Sequence, residues 1–267
     1  MNDNEKYFFD VNGYLTIRNA LSPEQISALN RQIDLQIAAL ETPAQPQLSF
    51  NNVLGWRGAM VGLIDNPRVV PYLDVLLGPP PYADPGRGPF FRLDHTYVTV
   101  LRPDAPDAGA PVLHGGNTPF DPGQFYHVSE GHIYNGLLVV AYNLTDVNDG
   151  DGGFGCVPGS HKANFRIPRD WKDLRKPNPV ARAVGGPAGT AVVFTEALSH
   201  GTLPWHGTHE RRTVFFKFNA YCSAFGPAYL DEMTSSWQEL SERQRAILEA
   251  PNSRGLGRRR QAMLAHH

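Results

Sequence analysis

Only two cysteines, Cys156 and Cys222, occur in 267 residues. They cannot build a disulfide framework, and such sparse use suits a reducing compartment. No uninterrupted apolar run approaches the roughly 18 residues of a membrane span. The opening MNDNEKYFFD lacks the basic start and apolar stretch of a secretory leader. A cytoplasmic protein without a membrane partner is the expectation. Charge of one sign is also missing: 24 basic against 26 acidic side chains leave a net charge of −2, which gives no long-range attraction for nucleic acid. There is no phosphate-binding P-loop, no Gly-x-Gly-x-x-Gly directly after a strand, no Cys-x-x-Cys pair and no Gly-x-Ser-x-Gly elbow. Nucleotide-dependent and serine-hydrolase chemistry are thereby disfavoured.

What is plentiful is glycine (26) and proline (23), the residues of turns between short strands. Two helices are announced early. Ser22, Pro23 and Gln25 form a capping pattern ahead of Ile26, Leu29, Ile33, Ile37 and Leu40, which recur at helical spacing. Asn66 and Pro67 open a second, closed by Gly78. After residue 88 the segments 90–103, 135–147, 189–203 and 211–221 are rich in β-branched and aromatic residues and bounded by turn formers. A last helix is predicted over roughly 239–249, ahead of a polar, solvated tail containing GRRR at 257–260. The expected fold is mainly β with flanking helices, an antiparallel barrel or jelly roll. The length fits one such domain, with a helical part over about 1–88, a β core over about 89–225 and a C-terminal helix and tail over 226–267.

With the common motifs gone, histidine is the informative residue type. Ser160 and His161 are adjacent in PGSHK and read as a turn rather than as nucleophile and base. His114 ends an apolar run and precedes two glycines, which allow backbone to approach a ligand closely. His200 ends a strand-like segment and is followed by Gly201 and Thr202. Eleven residues later come Arg211 and Arg212, and an arginine fork is the natural partner of a carboxylate-bearing ligand.

Three segments together resemble the phytanoyl-CoA dioxygenase family of Fe(II)/2-oxoglutarate oxygenases. FFDVNGYLTIRNALSPEQISAL resembles its opening strand and helix, VVAYNLTDVNDGDGGFGCVPGSHKANF its most recognisable stretch, and GTAVVFTEALSHGTLPW with the following arginines its closing segment. The resemblance implies a double-stranded β-helix (jelly-roll, cupin-like) core using Fe(II), 2-oxoglutarate and O2. It implies hydroxylation of a small-molecule substrate, with succinate and CO2 as coproducts. His200 matches the distal iron ligand, Arg211 the residue pairing with 2-oxoglutarate, Thr202 a supporting hydroxyl and Tyr142 an aromatic wall of the cosubstrate pocket. Strand alternation admits only one of Arg211 and Arg212 to that pocket. His114 matches the first iron ligand.

The family's first motif is His-x-Asp, and here residues 114–116 are His-Gly-Gly. Asp94 is the preferred substitute carboxylate. Glu196 precedes His200 by four residues, about 13 Å along an extended strand, which sets it too far away. Other readings are a three-histidine site using His95, His127 or His132, an open position for halide as in halogenating relatives, a metal-free binding protein, or a first motif lying elsewhere in 117–134. That stretch, with Asp121, His127, Glu130 and His132, is expected to cover the substrate as a lid.

Overall fold

The computed structural model describes residues 1–79, 88–103, 111–226 and 229–253. The GRRR tail lies outside them. An unpredicted helix α1 (Asp3–Asn12) comes first, capped by Asn2 with Glu5 reciprocating and ended by Gly13 at φ 80°. Next come β1 (Tyr14–Ile17) and α2 (Pro23–Ala38), which starts at the Ser22–Gln25 capping box. Leu29 and Ile33 are its buried residues, while Ile26, Ile37 and Leu40 pack partly buried beside them. Strand β2 (Gln47–Asn51) and helix α3 (Val70–Leu76) follow. That helix starts four residues after the expected Asn66 cap, because Asn66 forms a turn through Arg68 N and its amide donates to the Ala20 carbonyl. Pro71 then falls in the first helical turn, where its missing N–H costs nothing.

The β core comprises β3 (Phe91–Leu101), β4 (Tyr126–Ser129), β5 (His132–Asn135), β6 (Leu138–Asn143), β7 (Gly153–Cys156), β8 (Arg182–Ala183), β9 (Ala191–Thr195), β10 (His200–Leu203) and β11 (Arg211–Ala220). Helices α4 (Leu230–Thr234) and α5 (Glu242–Leu248) close the described chain. Six strands form one antiparallel sheet in the order β1-β9-β6-β11-β3-β2, and three form a smaller sheet, β10-β7-β8. This is the jelly-roll arrangement. Strands β1 and β2 belong to the large sheet, so the part before residue 88 is not purely helical as expected.

Strand alternation assigns the two faces of the large sheet. Leu138, Val140 and Tyr142 of β6 and Val214 and Phe216 of β11 join Phe9, Leu29, Ile33, Leu73, Trp237 and Ile247 in one core beneath the helices. Val139, Ala141, Val192, Phe194 and Phe215 turn the other way, against Phe154 and Cys156 of the small sheet. Both flanking helical segments therefore bury their apolar faces on the same side. No helix among the described residues is long and apolar enough to cross a membrane.

Candidate active site

Between the sheets opens a pocket of about 150 Å³ lined by Tyr97, His114, Phe194, His200, Thr202, Arg211, Phe215 and Lys217. His114, His200, Thr202 and Arg211 thus come from distant parts of the chain to one cavity. The two histidines face each other as an antiparallel bridge pair, with backbone hydrogen bonds of 2.8 and 2.9 Å in both directions and ring centroids 4.2 Å apart. His114 Nδ1 lies 2.8 Å from the His200 carbonyl and His200 Nδ1 lies 2.7 Å from the Leu198 carbonyl. A carbonyl only accepts, so each Nδ1 carries the proton and each Nε2 presents a lone pair. That is the orientation of metal-binding imidazoles. His200 is buried, and burial lowers its pKa. His114 keeps substantial exposure to solvent. Its enclosed part and the neighbouring His200 still push it down to about 4. Both rings are neutral near pH 7.

Alternation along β11 turns Arg211 into the pocket and Arg212 out of it. Arg212 binds Glu210 and reaches Asp34 of α2 at 2.7 Å. Arg211 is 3% exposed, its Nε has no hydrogen-bond partner, and it has no ion pair among the described residues. Burial pushes its pKa down to about 10, which still leaves it charged at neutral pH. A buried, uncompensated guanidinium costs several kcal/mol and calls for an anion. Gly153 gives it room: a Cβ there would lie 2.9 Å from Arg211 Nε. Tyr97 and Phe215 stack at 4.4 Å to form the wall alongside.

Two expected site residues lie elsewhere. Tyr142 has the opposite strand parity from Ala141, so it points into the helix-side core, edge-on to Phe216, with its hydroxyl unpartnered. Asp94 sits where the β3–β11 register skips, with Lys217 opposite His95 but Phe218 opposite Leu93. Its carboxylate is consumed there by Arg92, His95, Asn219 and the backbone N–H groups of Phe225 and Gly226. Burial opposes its ionisation, but those hydrogen bonds hold it down at about 2. It does not join the histidines.

Among the described residues, the acid paired with the histidines is Glu196. The segment 189–203 is two strands, β9 and β10, separated by a turn in which Leu198 N bonds the Thr195 carbonyl and Ala197 N bonds Thr195 Oγ1. The turn brings Glu196 Oε2 to 3.8 Å from His200 Nε2, where extended-strand spacing had set it apart. Lys217 Nζ lies 2.6 Å from the other carboxylate oxygen. A signal for the break was present in the sequence: Glu-Ala-Leu-Ser contains no β-branched residue. Among the described residues, no three His, Cys, Asp or Glu side chains are drawn close enough to enclose an ion.

His127 and His132 are exposed on the β4–β5 hairpin, and His95 is held by Asp94. The hairpin is no free lid. Tyr126 is buried and its hydroxyl donates to Asp10 at 2.6 Å, Lys6 donates to the Gly131 carbonyl, and Asn135 donates to the Leu76 carbonyl. A hollow of about 660 Å³ between α1 and this hairpin contains neither His114 nor His200. On the far side of Gly115 and Gly116 runs a groove of about 870 Å³ with Phe165, Arg166, Arg169, Trp171 and Lys172 along it and no carboxylate among its lining residues.

A family profile described as Phytanoyl-CoA dioxygenase (PhyH) matches residues 9–213. Among solved structures, HygX from Streptomyces hygroscopicus with nickel and 2-oxoglutarate bound is similar at a TM-score of 0.73 and 19% identity, over 90% of this chain and 95% of its own. The same protein with iron bound gives 0.71 and 19%, over 90% and 95%. With nickel, 2-oxoglutarate and hygromycin B bound it gives 0.70 and 20%, over 86% and 92%. At such identities the likeness concerns the fold. A comparison with curated proteins returns no match.

Proposed function

The chain belongs to the phytanoyl-CoA dioxygenase family of non-haem iron, 2-oxoglutarate-dependent oxygenases, and from that premise we propose that it hydroxylates a small acidic molecule, with His114 and His200 holding iron and Arg211 holding the cosubstrate. The observation that carries this reading is one pocket containing two neutral imidazoles whose Nδ1 atoms are held by carbonyls and one buried guanidinium without an ion pair among the described residues. Iron there, with 2-oxoglutarate and O2, would supply the oxidising power for an unactivated C–H bond.

The chain's own residues bind, orient and exclude water. Carbonyls fix the histidine rings so that their lone pairs face the cavity. Arg211 gives a dicarboxylate the counter-charge it needs, and a charge-assisted fork fixes orientation as well as energy. Thr202, two residues along β10 from His200 and on the same face, offers a hydroxyl beside it. Tyr97, Phe194 and Phe215 keep the cavity walls apolar. The substrate's acidity is inferred from the adjoining groove, where Arg166, Arg169 and Lys172 stand without an acidic lining residue.

The test is anaerobic addition of Fe(II) and 2-oxoglutarate to the metal-free protein. The expected result is a visible metal-to-ligand charge-transfer band, lost in His200→Ala and weakened in Arg211→Met. A folded wild-type protein giving no band, or a band that survives in His200→Ala, would overturn the reading.

A further inference from the structure

We propose that Glu196 supplies the third protein ligand to iron, in place of the aspartate that His-x-Asp motifs carry two residues after their first histidine. The inference rests on the reading of this pocket as an iron and 2-oxoglutarate site, and adds a residue to it.

The backbone at 114–116 disfavours the usual arrangement. Gly116 has φ +106°, where a side chain is strained, and a Cβ there would come within 3.0 Å of Ser199 Oγ. Gly115 has φ +71°, and a Cβ there would lie 2.6 Å from both the Glu196 and Leu198 carbonyl oxygens. The His-Gly-Gly segment is therefore pressed against the turn 196–199. An acid at 116 would sit on a strained backbone at φ +106° and would have to turn the Ser199 hydroxyl aside, whereas the facing turn itself carries an acid.

Distances favour Glu196 further. Two donors about 2.1 Å from one ion lie about 3 Å apart when adjacent and about 4.2 Å apart when opposite. Glu196 Oε2 is 3.8 Å from His200 Nε2, the nitrogen left free by the Leu198 hydrogen bond. That separation falls between the adjacent and opposite values. Glu196 is 5% exposed; burial alone would raise its pKa, and the Lys217 ammonium acts against that. Lys217 takes Oε1 at 2.6 Å and so leaves Oε2 for the histidine side. Ligating carboxylates commonly have such a hydrogen-bonded partner. Lys217 is thus a positioning residue, itself seated 5.5 Å over the Tyr97 ring. The resulting set is two neutral histidines and one carboxylate, the composition non-haem iron oxygenases use, assembled from a different place in the chain.

The experiment is calorimetric titration of the metal-free, full-length protein with Fe(II) under anaerobic conditions, with thermal melting of the same samples. Glu196→Gln keeps size and a hydrogen-bond acceptor for Lys217. It is expected to weaken metal binding by at least about tenfold while remaining folded, and Lys217→Met to weaken it by about tenfold. Should Glu196→Gln fail to fold, Glu196→Asp retains the charge on a shorter arm and is expected to weaken binding and shift the charge-transfer band. A folded Glu196 variant with wild-type affinity and band, alongside a His200→Ala that binds nothing, overturns Glu196 and leaves the pocket reading intact. A chloride-dependent band in the wild type also overturns Glu196, because it reveals an open position. Absence of iron uptake by the wild type overturns the pocket reading itself.

Discussion

At the scale of single residues, the site is built from groups that are costly to bury and lack partners. Arg211 is the clearest. Charge-assisted hydrogen bonds contribute about 1.5–3 kcal/mol, so Arg211→Met is expected to weaken 2-oxoglutarate binding at least about tenfold. Because the guanidinium has no ion pair among the described residues, the same change should leave the apoprotein's melting temperature unchanged or higher; equilibrium dialysis and a thermal melt check the two halves. Arg212→Ala should do the reverse, sparing 2-oxoglutarate and losing about 0.2–1 kcal/mol of stability from its outer ion pairs. Gly116→Asp, which would rebuild His-x-Asp by sequence, should destabilise the protein by about 1–3 kcal/mol from backbone strain. A gain in metal affinity without loss of stability would contradict the backbone strain assigned to position 116. The family resemblance implied site roles for His114, His200, Thr202 and Arg211, and these four line one cavity. Tyr142 could not be placed from sequence, since choosing between it and Ala141 needs the absolute parity of β6, and nothing in an all-apolar run marks which face is which.

At the scale of elements, the decisive feature is the break between β9 and β10. The four main β segments were legible from composition, and the Ser22–Gln25 capping box marked where α2 starts; the last helix, expected from about 239, starts at Glu242. The turn at 196–199 was hidden inside a continuous apolar reading, and with it the position of Glu196. Its support comes from far away: Ser160 Oγ accepts a 2.8 Å hydrogen bond from Ser199 N, which gives the PGSHK turn a structural task. Ser160→Ala is expected to cost about 1 kcal/mol and to lower iron affinity, because it loosens the turn bearing Glu196 and His200. Melting of the apoprotein and iron titration separate the two effects, and unchanged iron affinity would mean that the turn is held by its own hydrogen bonds. The α1 helix escaped the sequence reading because its apolar residues Tyr7, Phe8 and Phe9 are consecutive, without helical spacing. Only Phe9 among them is buried.

At the scale of the whole molecule, His161 ties the PGSHK turn to the N-terminal helix. Its ring is fully buried, edge-on to Tyr126, with Nε2 3.0 Å from the Asp10 carbonyl. Gly13 makes this possible, since a Cβ there would lie 2.5 Å from His161 Nδ1. Burial pushes the His161 pKa from 6.5 down to about 4. Between those values the unfolded chain binds a proton that the folded chain does not. Stability from the neutral ring is therefore complete above pH 6.5 and is lost as pH falls toward 4. The loss is of order 3 kcal/mol at most. His114 titrates over the same range, but it keeps substantial exposure to solvent, so its share is smaller. Asp94, held at about 2 by its hydrogen bonds, adds a separate loss only below its ordinary value of 3.8. Urea unfolding midpoints should thus be level from pH 8 to 7, fall between 6.5 and 4, and fall again below. In His161→Phe the first fall should shrink while the second stays. An equal first fall in wild type and variant would show that the acid lability belongs to the histidine pocket, and would move its origin from the α1 contact to the site between the sheets.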